Sequence, residues 1–212
     1  MHFLVVGAAG GLGRCILREA LSRGHAVSAL VRSREKLAAA LSPSELSSLR
    51  AVHEGDAAAH PALALTASVG VDAILAAAVP NPALARVLGE AAVARGARAL
   101  WTAGSSNILE ADGVTMHYKS FGPMGEQFYS AHTPCIAALK ATGAVHIIWC
   151  PGLMKGRGSK SAPPPPILLH AAPAGAAPMD FISYEDAADV ILRAVETQEF
   201  NNTHIAAVAG AP

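Results

Sequence analysis

Glycines at 7, 10 and 13 directly follow the apolar run HFLVV and open the stretch GLGRCILREAL. An apolar run that ends in glycine reads as a strand buried on both faces. From Leu12 to Arg23, the residues Leu12, Ile16, Leu17, Ala20 and Leu21 share one helical stripe. Gly24 stands where a C-terminal cap belongs. The spacing is Gly-x-x-Gly-x-x-Gly, but the physics is that of any strand-to-helix phosphate turn. Gly7 permits the tight turn, Gly10 lets backbone approach a pyrophosphate, and Gly13 lets helix and strand pack closely. The free N–H groups of the helix then face the phosphates. Gly7, Ala9, Gly10, Gly11, Leu12 and Gly13 are therefore expected to hold a dinucleotide; the alternative is an empty, vestigial loop.

The rest of the chain repeats the same rhythm. AVSALVR, LRAVHEGD, VDAILAAAV, ARALWTAGSSN and VHIIWCPG read as strands two to six. SREKLAAAL, NPALARVLGEAAVARG and PCIAALKATG read as helices between them, the second with proline at its start and glycine at its end. Alternating strands and helices call for an α/β fold, a doubly wound parallel sheet with helices on both faces. After Pro151 the chain turns rich in proline and glycine. ILLH and MDFIS are expected to pair as a small hairpin. SYEDAADVILRAVET is a helix with a Ser183–Asp186 capping box, and THIAAVAG is a last strand. Residues 1–212 are read as one dinucleotide-binding domain of the Rossmann type, with 151–182 forming a small substrate lobe.

Charge decides the nucleotide. NAD-binding sheets usually carry an acid at the end of the second strand, for the ribose 2′-hydroxyl. Here that strand ends ALVRSREK, with Arg32 and Ser33 in place and Arg34 and Lys36 close by. A guanidinium suits a phosphate, so NADP is favoured over NAD, with Arg14 reaching the same phosphate. The plainer alternative is a set of solvated charges starting a helix. Asp56, beside Ala57 after the third strand, is placed to accept the adenine amino group or to cap a helix. The small residues Ala77 and Ala78, with Val79, would let the cofactor lie across the sheet edge. Thr102 and Pro151 would flank its nicotinamide end.

These stretches together resemble the atypical short-chain dehydrogenase/reductases, specifically the NmrA-like, NAD(P)H-binding group. The resemblance rests on GAAGGLG, LVRSREKL, GD, ALKATGAVHIIWCPG and ISYEDAADVILRAV, and covers nearly the whole chain. Within the group it is most similar to the flavin reductase/biliverdin-IXβ reductase branch, through HTPCIAALKATG. The group includes reductases, epimerases and redox-sensing regulators without turnover.

The Tyr-x-x-x-Lys pair that moves protons in the commoner short-chain dehydrogenases is absent. Thr133 stands four residues after Tyr129, and an alignment on His132 puts Phe128 at the tyrosine position. Ser105, Tyr129 and His132 are the candidate catalytic residues, with Ser106 and Asn107 as alternatives to Ser105. Polar-loop, packed-ring and surface roles compete for each. HYKSFGPMGEQFY reads as a long lid loop beside the site. Pro151, Gly152 and Met154 are expected to line its far side, while Trp101 and Trp149 belong in the core.

The reading that follows is an oxidoreductase reducing a small conjugated acceptor with NADPH, a non-catalytic NADP-binding regulator, or, more remotely, an epimerase. Formal net charge is zero, which offers no electrostatic case for nucleic acid or a membrane surface. The three cysteines and nine scattered histidines show no disulfide or metal spacing. No apolar run matches a spanning helix, and no signal-peptide layout is seen. A cytoplasmic protein with a small-molecule partner is expected, as a monomer or homodimer.

Overall fold

In the computed structural model, which describes residues 1–108, 117–156, 158–169 and 181–207, the first apolar run forms β1 (His2–Val6), buried along its whole length. It runs parallel to β2 (Ala26–Val31) on one side and β4 (Ala73–Ala76) on the other, with Val6 opposite both Leu30 and Ala76. β3 (Ala51–Glu54) flanks β2, while β5 (Arg98–Thr102) and β6 (His146–Trp149) extend the sheet beyond β4. The last strand, β10 (Thr203–Ala206), adds in parallel to β6, and β8 (Leu168–Leu169) closes that edge antiparallel. The order β3-β2-β1-β4-β5-β6-β10-β8 places the reversal of winding between β1 and β4.

Strand residues alternate between two cores. Phe3, Val5, Val27 and Ala29 face α1 (Gly11–Ser22), α2 (Arg34–Ala40) and α7 (Tyr184–Glu196). Leu4, Val6, Leu30 and Ile74 face α4 (Pro61–Ala67), α5 (Pro82–Arg95) and α6 (Gly122–Lys140). The doubly wound parallel sheet is thus present. α1 buries the stripe Leu12, Ile16, Leu17 and Ala20. Trp101 and Trp149 are core residues.

Two expectations are corrected. The described residues of ILLH and MDFIS do not pair with each other; His170, Met179 and Asp180 lie outside the described residues. Leu168–Leu169 pairs with β10, while β9 (Phe181–Ser183) pairs in parallel with β7 (Leu153–Lys155). Main-chain partners already in the sheet, and the strand leaving β6, compete successfully with a local turn. HYKSFGPMGEQFY is not a long loop either. It supplies a 3₁₀ turn (His117–Phe121) and the first two turns of α6, which runs straight through Pro134. Two short helices, α3 (Pro43–Ser47) and α4, were not anticipated; each opens on proline at its first position.

The start of α7 is a hub. Ser183 caps it, accepting the Asp186 N–H at 3.0 Å. The Asp186 side chain is fully buried and accepts the Ser183 hydroxyl (2.8 Å) and both the N–H (2.6 Å) and hydroxyl (2.8 Å) of Ser161. It thus ties the segment after β7 to α7 instead of closing the reciprocal half of a capping box on Ser183 N–H. The ring of Tyr184 covers Gly11, where a Cβ would stand 2.5 Å from Cε2.

Burial holds the imidazoles of His132 and His146 below their ordinary titration range, with Lys140 adding to the effect at His146. The unfolded chain takes up protons at both as pH falls through about 6.5, while the native state does not until lower pH. This part of the stability is complete above about pH 6.5 and is lost below it. A lower melting temperature at pH 5.5 than at pH 7.5, by calorimetry, is expected; equal values would contradict it. The Glu45 carboxyl is held down to about 2, chiefly by its hydrogen bond from Arg18, so its contribution is full above about 4.5 and is lost only as pH falls from there towards 2, which keeps the two windows separable.

Candidate functional site

A cavity of about 580 Å³ opens at the C-terminal ends of β1, β2 and β4 and the turn after β3. This is where ligands bind in open α/β sheets, at the point where the winding reverses. Gly7, Ala9, Gly10, Arg32 and Ser33 line it. Asp56, Ala57, Ala77, Ala78 and Val79 complete the wall expected from sequence. Gly11, Leu12, Gly13, Arg14, Thr102 and Pro151 are not on that wall. Leu12 and Gly13 are buried in α1.

The glycines act as the turn requires. Gly7 has φ of 81°, and a Cβ there would lie 2.4 Å from the Ala77 carbonyl oxygen. A Cβ on Gly13 would lie 2.2 Å from the Gly7 carbonyl oxygen. A Cβ on Gly10 would meet only that oxygen, at 3.3 Å. The N-terminus of α1 has no side-chain cap and no acid in its first turn. By contrast α2, α3, α5 and α7 are capped by Ser33, Ser42, Asn81 and Ser183. An uncapped helix end behind bare glycine backbone fits an anionic ligand group.

Lys36 joins Arg32 on the wall, and among the described residues neither has an acidic partner. Arg34 turns away. It donates to the Val52 carbonyl at 2.7 Å and lies 4.0 Å from Glu54. The Ser33 hydroxyl oxygen accepts the Lys36 N–H at 3.1 Å, so it caps α2 and keeps its own O–H to donate. Asp56 accepts the Ala58 N–H at 2.9 Å, fixing its turn while bordering the cavity. Arg14 leaves its Nε buried and unpaired. Asn81 and Leu84 also line the cavity; the sequence signal for Asn81 was its position before Pro82, which marks a helix cap at a strand end.

A second cavity, of about 190 Å³, lies beyond β5. Ser105, Ser106, Phe128, His132, Pro151, Gly152 and Met154 are on its wall, with Gly104, Met124 and Leu153, which sequence reasoning missed. Phe128 and His132 sit one helical turn apart on α6 and face the same space, as their alignment with a Tyr-x-x-x-Lys pair implies. Tyr129 does not line it: its ring stacks on Tyr118, with centroids 4.1 Å apart. The Ser105 N–H is committed to the Pro151 carbonyl at 2.7 Å. Thr102 Oγ1, Ser106 Oγ and His132 Nδ1 are buried without hydrogen-bond partners among the described residues. Among the described residues no cluster of three or more His, Cys, Asp or Glu could hold a metal, and no helix is long and apolar enough to cross a membrane.

A glycine turn, an uncapped helix and a cavity at the reversal point define a dinucleotide-binding protein of the Rossmann type. A family profile described as NAD(P)H-binding matches residues 7–198, and the chain belongs to that family. Its fold is that of the atypical short-chain dehydrogenase/reductases. A provisionally named NADH-flavin reductase from Streptococcus pneumoniae superposes with a TM-score of 0.78 at 18% identity, covering 99% of this chain and 100% of that one. The anaerobilin reductase of Escherichia coli O157:H7 gives 0.74 at 16% identity, with 100% of both chains covered. A short-chain dehydrogenase/reductase from Veillonella parvula, solved with NADP, gives 0.76 at 12% identity over 99% and 95%. Comparison with curated proteins gave no match.

Proposed function

We propose that the chain is an NADPH-dependent reductase of a small, flat, conjugated acceptor, such as a flavin or quinone. The observation that carries this reading is a two-part site: a cavity of about 580 Å³ with Arg32 and Lys36 on its wall, and a separate, mostly apolar cavity beyond β5. Gly7 and Gly10 would hold the pyrophosphate with the N-terminus of α1. Arg32, Lys36 and the Ser33 hydroxyl would receive the 2′-phosphate, which only NADP carries. Asp56 would accept the adenine amino group. Reduced nicotinamide supplies a hydride when bound, and the protein's part is then to stack, orient and keep water from the acceptor. Such chemistry does not require a tyrosine–lysine proton device.

Phe128 and His132 in place of that pair favour one competing reading, a non-catalytic NADP-binding regulator. Stopped-flow oxidation of NADPH with FMN, FAD, dichlorophenolindophenol and menadione separates the two. Turnover with at least one acceptor is expected. Tight NADPH binding with no oxidation would leave the regulator.

A further inference from the structure

The smaller cavity is built unevenly, and this bears on its occupant. Met124, Phe128 and Leu153 stand about half exposed at its rim (49%, 47% and 46%), with Met154 behind them. Soft thioethers and a phenyl ring suit a flat apolar ligand. At about 190 Å³ the space is smaller than the ~300 Å³ lower bound typical of small-molecule sites. It therefore takes one edge of a ring system and leaves the rest outside.

Two polar side chains flank Gly104 on this wall: an ideal Cβ there would lie 3.6 Å from Ser106 Oγ and 3.8 Å from the His132 ring carbon Cδ2, in ordinary van der Waals contact with both. His132 Nδ1 is buried and has no hydrogen-bond partner among the described residues. Ser106 is 3% exposed and its hydroxyl has no partner among the described residues. A buried hydroxyl left unpaired is costly, and a ligand atom would satisfy it. The two groups are braced from behind. Asn107 Nδ2 donates to Thr133 Oγ1 at 3.2 Å, joining the turn that carries Ser106 to the helix that carries His132. His204 fixes the same turn. Lys140 Nζ donates to its Nε2 at 3.0 Å, which leaves Nδ1–H to donate to the Asn107 carbonyl at 2.9 Å.

We propose that Ser106 and His132 together receive a carbonyl oxygen on the edge of a planar conjugated ring held between Phe128 and the methionines, and so select carbonyl-bearing acceptors over bare aromatic ones. The proposal rests on the reductase reading for the role of that ligand. It moves the key hydroxyl from Ser105 to Ser106 and replaces Tyr129 by Phe128 as the ring beside the acceptor.

The test compares anthraquinone-2-sulfonate with anthracene-2-sulfonate, which has the same rings without carbonyls, by titration calorimetry on the full chain. Wild type is expected to bind the quinone about tenfold more tightly, the scale of one or two net hydrogen bonds. S106A and H132F should each lose most of that preference and bind anthracene-2-sulfonate within twofold of wild type. H132Q, which keeps a donor, should retain part of it. Thermal melts establish that each variant folds. No preference in wild type, or a preference that survives in both S106A and H132F, overturns the proposal. NADPH oxidation by menadione is measured in parallel. Selective binding without oxidation would defeat the reductase reading alone and leave a carbonyl-binding site.

Discussion

Replacing Arg32 with alanine is expected to weaken NADPH binding by about 10- to 150-fold and to leave NADH nearly unchanged. The range corresponds to the ~1.5–3 kcal/mol of a hydrogen bond to a charged group. Arg32 lies where β2 ends, on the cavity wall, and has no acidic partner among the described residues. Among those residues no carboxylate competes for its guanidinium. Lys36, on the same wall, keeps part of the attraction when Arg32 is lost, which sets the lower end of the range. Arg34→Ala is the internal control, because Arg34 is spent on Val52 and Glu54. Equal losses for NADPH and NADH in R32A, by fluorescence titration, would remove the 2′-phosphate role.

The second large effect is expected at Gly13. A methyl group there would stand 2.2 Å from the Gly7 carbonyl oxygen and 2.9 Å from Ala8 Cα. Both are backbone atoms, so neither can swing aside. Overpacking of this kind costs about 1–3 kcal/mol, or a fall of roughly 2–12 °C in melting temperature for a chain of this size. The turn must shift to relieve it, so NADPH affinity should fall too. Gly10→Ala is the useful contrast. Its methyl would meet only the Gly7 oxygen at 3.3 Å, so the fold should largely survive while nucleotide binding suffers. A G13A protein that melts with the wild type would show that the turn is looser than this packing implies.

The parts of the molecule written in short-range pattern were legible. β1 and α1 announce themselves through an apolar run, three glycines and a 3.6-residue stripe, and the cationic end of β2 needs only Arg32, Ser33 and the lack of an acid. What was not legible depended on partners distant in sequence. Pro134 looked like the first residue of a helix because proline fits that position. Instead it lies inside α6, whose earlier turns pack against the turn bearing Ser106, and so the supposed lid is helix. ILLH and MDFIS have strand character, but their partners are β10 and β7, and no local rule names them. Tyr129 and Phe128 are neighbours of similar size. Only the rotation of α6 decides that Phe128 meets the cavity while Tyr129 stacks on Tyr118.

The contact between Tyr184 and Gly11 bears on how this protein divides. The glycine turn looks self-sufficient, a module of strand, loop and helix that might be lifted out with the first half of the chain. Yet the surface of its helix entrance is finished by an aromatic ring from α7, which also carries the buried Asp186 and its hold on Ser161. The glycine turn and the segment after β7 therefore share one support. A fragment ending before α7 would keep every residue of the glycine motif and lose the ring that covers it. A substitution at Tyr184 or Asp186 therefore reaches both the segment after β7 and the turn between β1 and α1.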